Sequence, residues 1–261
     1  MNSFYQLIES HRSIRKYKKQ EIPKDVLYRV LQAGTRASTS GNMQPYSIIV
    51  TTDEGIKKKL LPLHFDQSMV MDAPVLLTFC ADFHRMRLWL KQSEAPMNFD
   101  NLMSFLIGMI DATLASQNVA LAAQSEGLGI CYMGTTLASN GEISKVLSLP
   151  ENVVPVVGFS IGYPDEKPQA RDRLPLEAIV HREVYQDYST AKIKEIYQEK
   201  ELAGMRRYLA DPKLKEMVQT LGVSNLAQIY TKLKYTRESH QNYSQDVFKC
   251  LQDQNFLDDL L

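Results

Sequence analysis

The chain has 261 residues, enough for one large domain or for a domain with a substantial extension. Its 44% hydrophobic and 23% charged residues are those of an ordinary globular protein, which excludes disorder as the dominant state. Lys plus Arg and Asp plus Glu both number 30, so no global field draws the chain to nucleic acid or to an anionic membrane, and a bound phosphate needs a local site.

The N-terminal MNSFYQLIESHRSIRKYKK has no unbroken apolar stretch of the signal-peptide kind. Ser3 and Gln6 form a capping-box pattern, and Phe4, Leu7 and Ile8 mark one face of a short helix. Ile22-Pro23 opens a second helix with Val26, Leu27, Val30 and Leu31 on one face. Residues 37–45 read as a loop of small and amide side chains, and Tyr46–Thr51 and Val75–Cys80 as strands. The most apolar segment, Leu102–Ile110, is too short to span a bilayer. It lies in the longest helical stretch, Asn98–Glu126, apolar nearly all round and interrupted by Asp111, Gln117 and Asn118. Such a helix belongs in a large core or against another subunit.

Gly127 and Gly129 stop that helix, and a short strand at Ile130–Met133 and a small helix near Ile143–Leu147 follow. Val153–Gly162 is a strongly apolar strand. The expected body is one α+β unit over residues 1–188. After Tyr185 the chain turns polar and helical, so residues 189–261 are expected to form a helical C-terminal extension packed on the body or on a partner, its last helix spanning 246–261. Three distant cysteines (Cys80, Cys131, Cys250) and no CxxC pair argue against a disulfide framework or structural zinc, and suit a soluble protein of the reducing cytoplasm.

Four clusters carry chemistry-bearing side chains. His11-Arg12-Ser13-Ile14-Arg15 concentrates two guanidiniums, an imidazole and a hydroxyl; a solvated basic surface continued by Lys16, Lys18 and Lys19 is the plainer explanation. Arg171 and Arg173, at i and i+2 on an extended segment, point to one side and could grip one anion, unless Asp165, Glu166 and Asp172 merely neutralise them. Residues 38–45 and Gly127–Gly134 offer hydroxyls, amides and bare backbone, although both are also ordinary turn compositions. The five histidines have no metal-ligand spacing, so no metal is expected, and there is no GxSxG, P-loop, HExxH or Rossmann fingerprint. Cys131 reads as a packed core thiol rather than a nucleophile. What remains is a protein that supplies donors and shape while a cofactor does the chemistry.

In this order the clusters resemble the oxygen-insensitive NAD(P)H nitroreductases and the NADPH–flavin oxidoreductases. The matching stretches are ESHRSIRKYKKQEIP at 9–23, ASTSGNMQPYSIIV at 37–50, SEGLGICYMGTTL at 125–137 and VVPVVGFSIGYPDEKPQARDRLPLEAIVHREVY at 153–185. Together they span about residues 3–188. The resemblance implies a nitroreductase-like α+β fold: a mixed β-sheet surrounded by helices in an intertwined homodimer, with FMN at the subunit interface. It implies that His11, Arg12, Ser13, Arg171 and Arg173 hold the phosphate and ribityl end, and that Arg15 and Gln67 face the pyrimidine edge. Thr39, Ser40 and Asn42 would line the site, in part from the second subunit. Tyr132, Met133 and Gly134 would pass backbone over the ring near N5.

The implied activity is ping-pong electron transfer from NAD(P)H, through flavin N5, to small-molecule acceptors: nitroaromatics, quinones or free flavins. A flavin reductase serving a partner and a redox-quiet flavin-storage protein are the alternatives. The sequence names neither the nucleotide nor the acceptor. Arg206, Arg207, Lys232, Lys234 and Arg237 are candidates for a dinucleotide 2′-phosphate, and solvated helix faces explain them equally well.

Overall fold

A computed structural model describes residues 3–258 and divides the chain into two compact units, one of residues up to 169 and from 243 onward, the other of residues 170–242. In the first unit, α1 (Ser3–Glu9), α2 (Lys24–Gly34), β1 (Tyr46–Thr51), α3 (Glu54–Leu63) and α4 (Met69–Asp72) come first. They are followed by β2 (Val75–Asp82), α5 (His84–Gln92), α6 (Leu102–Ser125), β3 (Gly129–Tyr132), α7 (Thr135–Ala138), α8 (Asn140–Val146) and β4 (Val153–Gly162). The second unit holds α9 (Thr190–Ala210), α10 (Pro212–Thr220) and α11 (Leu226–Ile229). Helix α12 (Arg237–Asp253) begins in the second unit and from Tyr243 belongs to the first.

The sheet order is β1-β2-β4-β3 and every named pair is antiparallel; the parallel element is the bridge from Ser13 to Ile130 on β3. β2 is buried along its whole length and β4 at all but one position, which explains why both read as continuous apolar runs rather than as alternating ones. Pro155 lies in the internal strand β4, where it has no N–H for the ladder. The register slips between Phe79 and Cys80, so that Phe79 faces Val157 while Cys80 faces Pro155, and the proline is taken up at the bulge.

Helix α6 packs on β2 and β4 with Phe105, Ala112, Ala115, Val119, Ala120 and Ala123 buried. Gly34 lets α2 approach it closely, since a Cβ there would lie 2.3 Å from Val119 Cγ2. The helix starts at Leu102 rather than Asn98, because the Asn101 side chain accepts from Ser104 N–H and caps it. It runs for 24 residues, far beyond the apolar stretch 102–110, and by length and composition it could cross a bilayer. In the fold its buried face carries Ser104, Asp111 and Ser116 and lies against the sheet.

The expected final helix, 246–261, ends early. α12 closes at Asp253, after which Phe256 and Leu257 turn into the main core beside Phe105; residues 259–261 lie outside the described range. Ser3 is already helical, so its cap position also falls outside. Helices α3, α4 and α5 were not legible as periodic segments.

Candidate functional site

Segment 11–17 lies along β3. Ile14 N–H donates to Ile130 O at 2.9 Å, Ser13 bridges Ile130, and Tyr17 bridges Pro164. Gly129 makes the approach possible, since a Cβ there would meet Ile14 Cγ1 at 2.5 Å. Gly127, at φ 76°, ends α6. Both glycines therefore serve the fold. Tyr17 is buried, donates to Ile14 O at 2.6 Å and meets Ser160 Oγ at 2.8 Å; burial raises its hydroxyl well above the ordinary tyrosine value.

On this frame His11 is half-buried with Nδ1 hydrogen-bonded to Gln124 Oε1 at 3.0 Å, Arg12 donates to Ser10 O, and Arg15 is exposed. Glu166 accepts from the backbone N–H of Arg15 at 2.5 Å and of Lys16 at 3.1 Å. Its carboxylate thus shapes the turn instead of pairing with the Arg12 or Arg15 guanidinium.

At the end of β3, Tyr132 turns its hydroxyl to Ser116 Oγ at 3.0 Å and its ring edge-on to Phe159, while Met133 N–H donates to Gly158 O at 2.8 Å. Gly134 is exposed with open space where a side chain would go. Among the described residues no hydrogen bond engages the backbone N–H of Gly134 or Thr135, so the free donors lie one and two residues beyond Met133. Cys131 is buried, and burial raises its thiol above the ordinary value, which makes it a core residue.

Gln67 follows the closed end of α3. Its Nε2 donates to His64 O at 2.9 Å, and His64 Nδ1 is hydrogen-bonded to Thr135 Oγ1 at 2.8 Å. Three sequence-expected segments, 11–15, 67 and 132–134, are therefore tied to β3 and the turn after it.

Loop 39–44 is tied elsewhere. Asp111, only 1% exposed, accepts from Thr39 Oγ1 at 2.5 Å, from Ser40 N–H at 2.9 Å and from Ser40 Oγ at 3.1 Å. Both hydroxyls are thus committed to the helix, while Asn42 is exposed and, with Gly41 and Gln44, left-handed. Asp111 and Gln124 lie thirteen residues apart on α6, about 20 Å along its axis. One chain therefore holds the loop and His11 at well-separated points. Beside the loop is a cavity of about 410 Å³ lined by Asn42, Gln44, Asp82, Arg85, Met86 and Trp89; Arg85 clamps its rim by donating to Gln44 O at 2.6 Å.

Arg171 and Arg173 are exposed in the second unit. Asp172 between them is paired with Arg207 at 2.7 Å and reaches Lys200 at 3.8 Å, both on α9. Burial pushes its carboxyl up, yet the Arg207 hydrogen bond and the neighbouring positive charges leave it below the ordinary carboxylate value. Its charge is spent on α9, and the flanking arginines keep theirs. A cavity of this unit, about 780 Å³, is lined by Ile193, Tyr197, Leu202, Leu226 and Tyr230 among others, and by neither arginine.

Asp111, Glu166, Asp172 and His64 escaped the sequence reading as site-builders. Asp111 had left a signal, as an acid in an otherwise apolar helix. Among the described residues no group of three or more His, Cys, Asp or Glu is placed to hold a metal ion.

The Nitroreductase family model matches residues 8–163. An NADPH-dependent oxidoreductase of Staphylococcus haemolyticus is 36% identical over 185 residues, 69% of this chain and 73% of that one. A solved Bacteroides fragilis structure superposes with TM-score 0.89 at 39% identity, covering 97% of this chain and all of the other. The NADPH:FMN oxidoreductase of Vibrio harveyi, solved with NAD+, superposes with TM-score 0.73 at 28% identity over 94% of this chain and 98% of its own. The chain belongs to the nitroreductase family.

Proposed function

We propose that this chain is a cytoplasmic, FMN-dependent NAD(P)H oxidoreductase that passes electrons in two half-reactions to nitroaromatics, quinones or free flavins. The observation that carries this reading is the donor set. Arg12, Ser13 and Arg15 are held along β3, the Glu166 carboxylate beside them accepts from the backbone of Arg15 and Lys16, and two free N–H groups stand at Gly134 and Thr135. A dianionic phosphate and a ring with several acceptor atoms match such donors. FMN, when bound, supplies the hydride chemistry. The residues of the first unit would bind and orient it: His11, Arg12 and Ser13 toward the phosphate end, Arg15 and Gln67 toward the pyrimidine edge, Gly134 and Thr135 toward N5. The Staphylococcus and Vibrio relatives carry NADPH in their names, which supports a nicotinamide donor.

A homodimer belongs to this reading. Met103, Ile110 and Leu114 lie exposed in one stripe of α6, an apolar face for a second copy. The separation of loop 39–42 from His11 favours a second copy delivering that loop to the site. The three buried, unpaired cysteines suit a reducing compartment.

The test is the visible spectrum of the purified, FMN-loaded protein, titrated without air with NADPH and then NADH. Bleaching of the flavin band and its return on adding a quinone or nitroarene is the expected result. A band that neither nucleotide bleaches would leave a storage protein, and failure to take up FMN would sink the cofactor assignment. Turnover of free FMN exceeding that of nitroarenes would mark a flavin reductase, the reading that the Vibrio relative's name favours.

Arg15→Ala is expected to lower the flavin midpoint potential. Reduced flavin gathers negative charge at the pyrimidine edge, and one hydrogen bond to a charged group contributes about 1.5–3 kcal/mol. For a two-electron couple this is roughly 30–60 mV. An unchanged potential would remove Arg15 from that edge.

A further inference from the structure

The turn between α3 and α4 contains a buried imidazole that the functional reading does not use. His64 is 2% exposed, and its N–H donates to Leu60 O at 3.0 Å. Phe65 and Asp66 then take φ of 56° and 53°, left-handed values that a residue with a side chain rarely adopts. Asp66 N–H closes back on Leu61 O at 3.0 Å, which turns the chain sharply into Gln67.

His64 makes two connections from this turn. Its carbonyl accepts from Gln67 Nε2 at 2.9 Å, fixing the amide that is assigned to the pyrimidine edge. Its Nδ1 meets Thr135 Oγ1 at 2.8 Å, on the residue whose free N–H, with that of Gly134, is assigned to N5. One residue, through its carbonyl and its ring, thus joins Gln67 and Thr135, 68 positions apart in sequence, which would serve two edges of the same ring. Burial draws the pKa of the imidazole down to about 4. At neutral pH the ring is uncharged and makes one directed hydrogen bond to the hydroxyl.

We propose that His64 is a positioning residue: through Thr135 and Gln67 it sets the distance between the Gln67 turn and the Gly134–Thr135 turn, so that both present donors to the flavin ring in register. This rests on the FMN reading above. The imidazole itself touches neither substrate nor cofactor in this role.

Four single variants and the His64→Leu/Thr135→Val double variant test it in the FMN-loaded protein, measured by FMN affinity from fluorescence quenching, by midpoint potential, and by thermal unfolding. His64→Leu keeps the bulk and removes the hydrogen bond, and Thr135→Val removes the same bond from the other side. His64→Asn places an amide near the position of Nδ1, and Thr135→Ser keeps the hydroxyl. His64→Leu and Thr135→Val should each weaken FMN binding about tenfold. If the reduced form loses tenfold more than the oxidised form, the potential falls by about 30 mV. The double variant should lose no more than either single one, because both break one link. His64→Asn and Thr135→Ser should recover most of the loss.

Wild-type affinity and potential in Thr135→Val, or additive losses in the double variant, would overturn the proposal even if His64→Leu unfolds more readily. A lower unfolding temperature with unchanged affinity and potential would make His64 a packing residue. Wild-type protein that takes up no FMN would overturn the cofactor reading, and this one with it; wild-type protein that binds FMN while the variants match it would overturn this one alone.

Discussion

An Asp111→Ala variant is expected to lose about 3 kcal/mol of stability, read from chemical denaturation. Asp111 lies in the middle of α6 at 1% exposure and its carboxylate receives the Thr39 hydroxyl, the Ser40 N–H and the Ser40 hydroxyl. Truncation leaves three donors without an acceptor on the packed side of a core helix, and each unsatisfied donor costs roughly 1–3 kcal/mol where water cannot reach it. Thr39 and Ser40 are only partly buried, so water recovers some of this, which holds the total near the lower end. The loop then loses its anchor at one end while Arg85 still holds Gln44 O at the other. Asn42 and Gln44, both left-handed, have little reason to stay so. Asp111→Asn should cost about half as much, because the amide retains one acceptor and turns its NH2 toward the remaining donors. A loss below about 0.5 kcal/mol in Asp111→Ala would show that the bracket does not hold the loop. Under the proposed function the Asp111 variants should also raise the acceptor KM more than they lower kcat, since the loop that they release lines the site without supplying a reacting group.

The second large effect is on acid stability. In the unfolded chain His64 takes up a proton as the pH falls through about 6.5, whereas in the fold burial delays this to about 4. Between those values the unfolded state binds the extra proton and the folded state does not. The contribution of the neutral, buried ring is therefore fully present above about pH 6.5 and declines as the pH falls, until it is lost near pH 4. Its size is roughly 3 kcal/mol, from a shift of two to three units at 1.36 kcal/mol each. Carboxylates also titrate toward the acid end, so the measurement is the difference between wild type and His64→Asn across pH 4–7. Unfolding free energies of the two proteins should converge as the pH falls. Parallel curves would mean that the ring protonates in the fold as readily as in the unfolded chain.

Much of this molecule was legible in its local patterns. The strands at 46–51, 75–82, 129–132 and 153–162 and the helices around 24–34 and 102–125 are announced by apolar runs, periodicity and stop residues that act over a few neighbours. The donor-rich segment 11–15 and the arginine pair at 171 and 173 were also visible, because a cluster of like functional groups is a one-dimensional property. Their meaning was not, since a basic run looks the same whether nearby acids cancel it or not. Only the tertiary structure decided that Glu166 turns to the backbone N–H groups of Arg15 and Lys16, 151 and 150 residues away, and that Asp172 pairs with Arg207, 35 residues away, and with Lys200. The same holds for Asp111 with Thr39, 72 residues apart, and for His64 with Thr135, 71 apart. Composition and spacing determined which charges and donors this chain owns. Folding decided which of them are spent on one another and which remain for a ligand, because hydrogen bonds between distant segments depend on the path of the chain rather than on its order.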